Sequence, residues 1–324
     1  MTELDWRKDV PVGPPRRPLD ADEIPAWVDR ELYPFTPWRI ELPGEAALGY
    51  LDEGPSAPRG TVVFSHGTPS WSFEWRHQVA ELRKTHRCLA IDHLGFGLSE
   101  RPFGSAYTPE AHAGRFRAWM EALELEDVTL VVHDFGGPIA LPVALDQPGA
   151  VTRLVVLNSW MWSFEGDPVM ERKARFAGGS LALWMYRNLN ASLRIITPSA
   201  YADRKKLTKR IHAQLLAPFV GIDSRERVLW ALAYALLGSS EFYRALWERR
   251  AALAELPALI VWGTRDPAFR PYLLERWRGV LPRAEVLEIP VGHWPQEEAP
   301  EAATDALARF VRAARPEATP PASA

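Results

Sequence analysis

With a single cysteine, Cys88, the 324-residue chain has no internal disulfide framework and no cysteine-based zinc or iron–sulfur site. Cys88 lies in the apolar run Arg87-Cys88-Leu89-Ala90-Ile91, where a thiol is expected as a buried strand residue. An excess of one charge sign is also missing. Lys and Arg number 38 against 41 Asp and Glu, a net charge of -3, which gives no footprint for nucleic acid or an anionic membrane. No run reaches the roughly 18 apolar residues of a membrane span. The first residues, MTELDWRKDVPVGPP, carry charge and proline where a signal peptide needs an apolar stretch of about 7–15 residues. These absences leave a cytoplasmic globular protein, with neither nucleic acid nor membrane as partner, as the expectation.

What is present is ample apolar material. Hydrophobic residues make up 47% of the chain, enough to fill one α/β domain of roughly 250 residues plus an insertion. Fourteen tryptophans are expected mostly in the core, with some available to line an apolar pocket. Residues 1–37, rich in proline and charge, read as an arm; residues 315–324, PEATPPASA preceded by arginine, read as a disordered tail. Between them, short apolar runs at Thr61–Ser65, Arg87–Ile91, Val128–His133, Val151–Leu157, Ala258–Trp262 and Glu285–Ile289 predict strands of a mostly parallel sheet covered on both faces. Trp38–Leu42 and Ala47–Leu51 alternate as an antiparallel edge hairpin. From 160 to 250 the pattern is helical throughout, so a helical cap interrupts a core formed by 38–159 and 251–314. Ligands of such sheets bind beyond the carboxyl ends of the strands, where that cap lies as a roof.

The chemistry is written at those strand ends. Val131-Val132-His133-Asp134-Phe135-Gly136-Gly137 runs strand, acidic residue, glycines, helix: the form of a nucleophile elbow with Asp134 where a serine hydrolase has its serine. Asp134 also suits a simple helix cap. The loop His66-Gly67-Thr68-Pro69 follows a strand as do loops that give a backbone N–H to an oxyanion hole. Asp266 and His293 end two later strands, and the chain order nucleophile, Asp, His is that of α/β-hydrolases.

On these motifs the chain resembles the α/β-hydrolase superfamily and, within it, the haloalkane dehalogenases. The likeness runs from about Trp38 to Val311 through HGTPSWSFEWR (66–76), DHLGFGLSERP (92–102), HDFGGPIAL (133–141), WGTRDP (262–267) and GHWPQEE (292–298). It implies an α/β-hydrolase fold with Asp134 as nucleophile, His293 as base, Asp266 as acid, and an oxyanion hole from the backbone N–H groups of Thr68 and Phe135. The implied reaction converts a small apolar haloalkane and water to an alcohol and halide through an alkyl ester on the enzyme. It needs neither metal nor organic cofactor.

Two positions depart from the family. Dehalogenases hold the leaving halide with a Trp after the nucleophile and an Asn in the His-Gly-Asn-Pro loop, or a second Trp from the cap; this chain has Phe135 and Thr68. A phenyl ring donates no hydrogen bond, so weak halide binding and a bias to bromides and iodides are expected, with Trp71, Trp160, Trp162, Trp184 and Trp230 as candidate replacements. Some dehalogenases carry the acid after the strand leading into the cap, where this chain has Asn158, Ser159 and Glu165; Asp266 is preferred. An epoxide hydrolase uses the same triad with cap tyrosines, for which Tyr186, Tyr201, Tyr234 and Tyr243 are available. A non-catalytic ligand binder on the same fold is the remaining alternative.

Overall fold

Among the described residues, nine strands form one sheet: β1 (Arg16–Pro18), β2 (Pro37–Ile40), β3 (Leu48–Glu53), β4 (Thr61–Ser65), β5 (Arg87–Ile91), β6 (Val128–Asp134), β7 (Val151–Ser159), β8 (Ala258–Gly263) and β9 (Glu285–Ile289). This computed structural model describes residues 15–313; the start of the expected arm and the expected disordered tail lie outside the described residues. The spatial order is β1-β2-β3-β5-β4-β6-β7-β8-β9. Pairing is antiparallel from β1 to β5 along that order and parallel from β5 onward. Strands β4, β5 and β9 begin and end where their apolar runs do, and β6 and β8 are buried along their whole length, as strands covered on both faces must be.

The sequence reading contains no counterpart of β1. Arg16–Pro18 is exposed, shows no apolar alternation and includes a proline, which a sheet accepts only at its edge. The helical segment between β7 and β8 also begins later than the pattern at Trp160 predicts. β7 runs on to Ser159, residues 160–167 form a loop, and the first helix, Pro168–Ala177, starts where the Asp167 side chain accepts from the Val169 and Met170 N–H groups. That helical segment ends at Leu253. It is tied to the strand-end loops: Trp71 Nε1 donates to the Gln214 carbonyl at 3.0 Å, and the His293 N–H donates to the Ala200 carbonyl at 2.9 Å. The loops after β4, β6, β8 and β9 therefore share one edge of the sheet with the helices laid against it.

Candidate active site

Asp134 ends β6 with φ at 49°, in the left-handed region, and Phe135 opens the helix Gly136–Asp146 directly after it. Holding a non-glycine residue there costs on the order of 1 kcal/mol or more, and such strain persists where surrounding structure enforces it. Here the enforcement is close packing. A Cβ on Gly136 would overlap the Ser65 carbonyl oxygen, and one on Gly67 would overlap the Asp134 side chain, so both loops need glycine to approach. The Ser159 hydroxyl donates to the Asp134 carbonyl at 2.6 Å and fixes the turn from the β7 side.

Against this turn the structure brings the other residues singled out in the sequence. The Thr68 N–H donates to Asp134 Oδ1 at 2.9 Å. His293 Nε2 lies 3.5 Å from Asp134 Oδ2, and His293 Nδ1 donates to Asp266 Oδ2 at 2.7 Å. Asp266 is further held by the Ala268 N–H at 2.7 Å and by the Asn158 side-chain amide at 2.8 Å. Asn158, which has no carboxylate of its own, thus orients the carboxylate that has; its amide oxygen accepts the Gly263 N–H at 2.7 Å, fixing which way the amide points. Glu165 is exposed and ion-paired with Arg244.

Electrostatics follow from two carboxylates facing one buried imidazole. Burial opposes a charge on His293, but Asp266 and Asp134 outweigh it and push the imidazole up to about 10. Burial likewise opposes ionisation of Asp266, and the facing imidazolium with its hydrogen bonds overcomes it, so the carboxyl sits below its ordinary range. His293 therefore rests as a cation between the Asp266 and Asp134 side chains.

Sequence reasoning gave no role to a second buried group behind His293. His133 Nε2 donates to the His293 backbone carbonyl at 2.9 Å, and His133 Nδ1 meets Glu74 Oε1 at 3.1 Å. Glu297, four residues beyond His293, makes a bidentate ion pair with Arg76, and both are buried. Only the alternation of charged residues within an otherwise apolar stretch, Phe73-Glu74-Trp75-Arg76, signals this pair in the sequence. Replacing Glu297 with leucine leaves the Arg76 guanidinium buried and uncompensated, an expected loss of about 3–5 kcal/mol. The Arg76→Leu/Glu297→Leu double variant should recover most of that stability. Urea unfolding midpoints test this; a double variant no more stable than the single one would show that the site does not tolerate an apolar replacement.

The five tryptophans separate cleanly. Trp71 spends its N–H on Gln214, Trp162 packs against Trp247 and Trp277, Trp230 packs on Tyr234, and Trp184 is 54% exposed. Only Trp160 joins the site. Its ring stands edge-on to Phe135 with centroids 4.7 Å apart and stacks at 5.3 Å on Phe269, which itself stacks on His293 at 5.4 Å. The Trp160 Nε1–H is buried without a hydrogen-bond partner among the described residues, as are those of Trp75, Trp119, Trp162, Trp230 and Trp262; what sets Trp160 apart is its ring contact with Phe135. Beside it at 6.1 Å is Tyr243, whose buried hydroxyl also has no such partner. Burial, then the charges of Glu110 and Asp134, push the Tyr243 phenol well up, and burial with the Asp134 charge pushes Tyr186 up to about 12 despite its bond to Ser192. Both therefore remain O–H donors. Tyr201 stacks on Trp294, and Tyr234 is exposed.

Known proteins share this fold. Residues 60–300 match the family described as alpha/beta hydrolase fold. The chain is 30% identical over 276 residues to haloalkane dehalogenase 2 of Mycobacterium tuberculosis, covering 84% of this chain and 94% of that protein. It is 32% identical over 281 residues to cis-3-alkyl-4-alkyloxetan-2-one decarboxylase of Shewanella oneidensis, covering 82% and 85%. The crystal structure of haloalkane dehalogenase DbeA from Bradyrhizobium elkani matches with a TM-score of 0.74 at 23% identity, over 84% of this chain and 96% of that one, a likeness of fold.

Proposed function

Because the chain belongs to the alpha/beta hydrolase fold family and, within it, to the haloalkane dehalogenases, we propose that it hydrolyses small apolar haloalkanes with Asp134 as nucleophile, His293 as base and Asp266 as the acid that orients it. The observation that carries the reading is the placement of a carboxylate at the strained turn, one oxygen on the Thr68 N–H and the other facing His293 Nε2. A carboxylate oxygen displaces halide from an sp³ carbon; the new bond is C–O, the broken bond C–X, and the halide leaves with the bonding pair. The Trp160 N–H and Tyr243 O–H, both buried without a partner among the described residues, are the donors we assign to that anion.

Formation of the ester also prepares the second step. Alkylation turns Asp134 neutral and removes one of the two negative charges that hold the proton on His293, so that proton leaves to solvent with the halide. Neutral His293 then takes a proton from water, whose oxygen attacks the ester carbonyl carbon. Negative charge develops on the carbonyl oxygen, where the Thr68 and Phe135 N–H groups serve as oxyanion donors. Collapse releases the alcohol and restores the carboxylate facing imidazolium; the sum is haloalkane plus water to alcohol, halide and a proton.

A second reading draws on the decarboxylase relatives, whose name gives a four-membered cyclic ester as substrate, and on the buried phenol of Tyr243. Asp134 attacking the ring carbon that bears the ester oxygen opens the ring to a free carboxylate. Loss of carbon dioxide then forms the alkene and expels Asp134, with no water consumed. An epoxide offers the same attack with an alkoxide leaving group. Halide release from bromoalkanes, alkene and carbon dioxide from a dialkyl oxetan-2-one, and diol from styrene oxide, each with Asp134→Ala as the blank, decide among these. The dehalogenase reading expects halide above the blank and the other products at its level; halide at blank level sinks it.

A further inference from the structure

We propose that the helical segment between β7 and β8 is a docking surface for an anionic lipid bilayer. The net charge of -3 conceals a segregation: residues 160–250 hold fifteen Lys and Arg against eight Asp and Glu, a net +7, so the rest of the chain carries -10. The apolar surface is segregated in the same way. Of eleven large hydrophobic side chains exposed among the described residues, nine fall between Phe176 and Tyr234. Single exposed hydrophobics need no explanation, but a clustered set within a segment of net positive charge marks an interaction face, and this holds although Arg210 and Arg249 are paired with Asp29, Glu31 and Asp146 of the rest of the chain.

The structure makes part of this set continuous. Leu181 and Trp184 are three apart on the helix Ser180–Leu189, so they share its outer face, while Tyr186 of the same helix is buried within electrostatic reach of Asp134. Arg225 donates to the Arg187 carbonyl at 3.0 Å and to the Val220 carbonyl at 2.6 Å, fastening the end of this helix to the turn that exposes Val220 (74%) and Ile222. Arg227 donates to the Phe103 carbonyl at 2.9 Å and lies over its ring, bringing in Phe103, which is 75% exposed. Exposed Arg194 has no acidic partner among the described residues, and the Arg194 charge is felt at Arg225. Apolar side chains that insert at the headgroup boundary, with guanidinium groups beside them for lipid phosphate, are the two components of peripheral binding to anionic membranes. A second copy of this chain is a poorer occupant, since its equivalent face carries the same positive charge. The proposal does not depend on which leaving group the active site handles.

Co-sedimentation of the full chain with phosphatidylcholine vesicles, with and without phosphatidylglycerol, tests it. At low salt the bound fraction is expected to fall about tenfold when the anionic lipid is omitted, and similarly when salt is raised. The Leu181→Ser/Trp184→Ser/Val220→Ser variant, altered only at exposed positions, should lose about tenfold in binding to anionic vesicles, and Arg194→Glu should weaken binding while leaving the circular dichroism unchanged. Binding that ignores lipid charge, vesicle binding by the triple variant equal to that of the parent, or no pelleting at all overturns the proposal. So does a concentration-dependent dimer in sedimentation velocity that the triple variant abolishes without any vesicle binding, because the second copy is then the occupant.

Discussion

A His293→Gln variant is expected to release one halide per active site and then stop, leaving the alkyl group on Asp134. Displacement of halide needs only the Asp134 carboxylate and the leaving-group donors, whereas hydrolysis of the ester needs a base at the position His293 Nε2 occupies, 3.5 Å from Asp134 Oδ2. Glutamine keeps a polar side chain there and accepts no proton, so ester hydrolysis should slow by about 10²–10⁴-fold with little change in the first step. Rapid-quench measurement of halide should give a burst equal to the enzyme concentration, and intact mass should rise by the alkyl group, on the peptide containing residue 134. Sustained turnover at the parent rate, or a label elsewhere, would falsify the assignment of base and nucleophile. The same variant isolates a linkage effect. His293 is held at about 10, above its ordinary 6.5, so its pairing with the two carboxylates stabilises the fold fully below pH 6.5 and is lost as pH rises through about 10. The parent should lose stability across that window more steeply than His293→Gln, in urea unfolding at a series of pH values. Catalysis should track a lower value than the free enzyme does, because the ester intermediate has only Asp266 facing the imidazole.

The residues of the site were legible to different degrees for physical reasons. Asp134, Asp266 and His293 stand out because each follows an apolar run long enough to be a buried parallel strand, and strand ends are where such sheets place chemistry. Asn158 has no carboxylate, so its residue type alone does not mark it as part of a triad. Its contribution is a hydrogen bond across two neighbouring strands, β7 and β8, and spacing along one chain does not report contacts between strands. The tryptophans were alike in sequence and differ only by what the fold does with them: Trp184 points out of its helix, while the extension of β7 to Ser159 leaves Trp160 in the loop above Phe135. Whole-chain charge misled in the same way, since a sum is blind to where the charges lie.

The substitution that distinguishes a halide from a ring oxygen is Trp160→Phe set beside Tyr243→Phe. Phenylalanine at 160 keeps an aromatic ring towards Phe135 and Phe269 and removes the N–H together with the second ring of the indole, so its effect is read against Tyr243→Phe, which loses a hydroxyl alone. A halide is stable once expelled and needs donors without a proton, which an indole N–H supplies; loss of one such donor aimed at developing charge costs about 10²–10³ in rate. A ring alkoxide must instead be protonated as it leaves, and of these two neighbours only the phenol has a transferable proton. On bromoalkanes, then, Trp160→Phe should slow single-turnover halide release by about 10²–10³-fold and Tyr243→Phe by tenfold or less. On styrene oxide a true epoxide hydrolase would show the reverse order, with Tyr243→Phe the more damaging change. Both variants near parental rates on bromoalkanes would remove this pair from the leaving-group site, and the N–H of Trp160 would then be a buried donor tolerated for the packing of its ring alone. A wide gap between the two variants on bromoalkanes is the stronger result, because neither a loss of folding nor a general loosening of the pocket ranks two neighbouring donors so far apart.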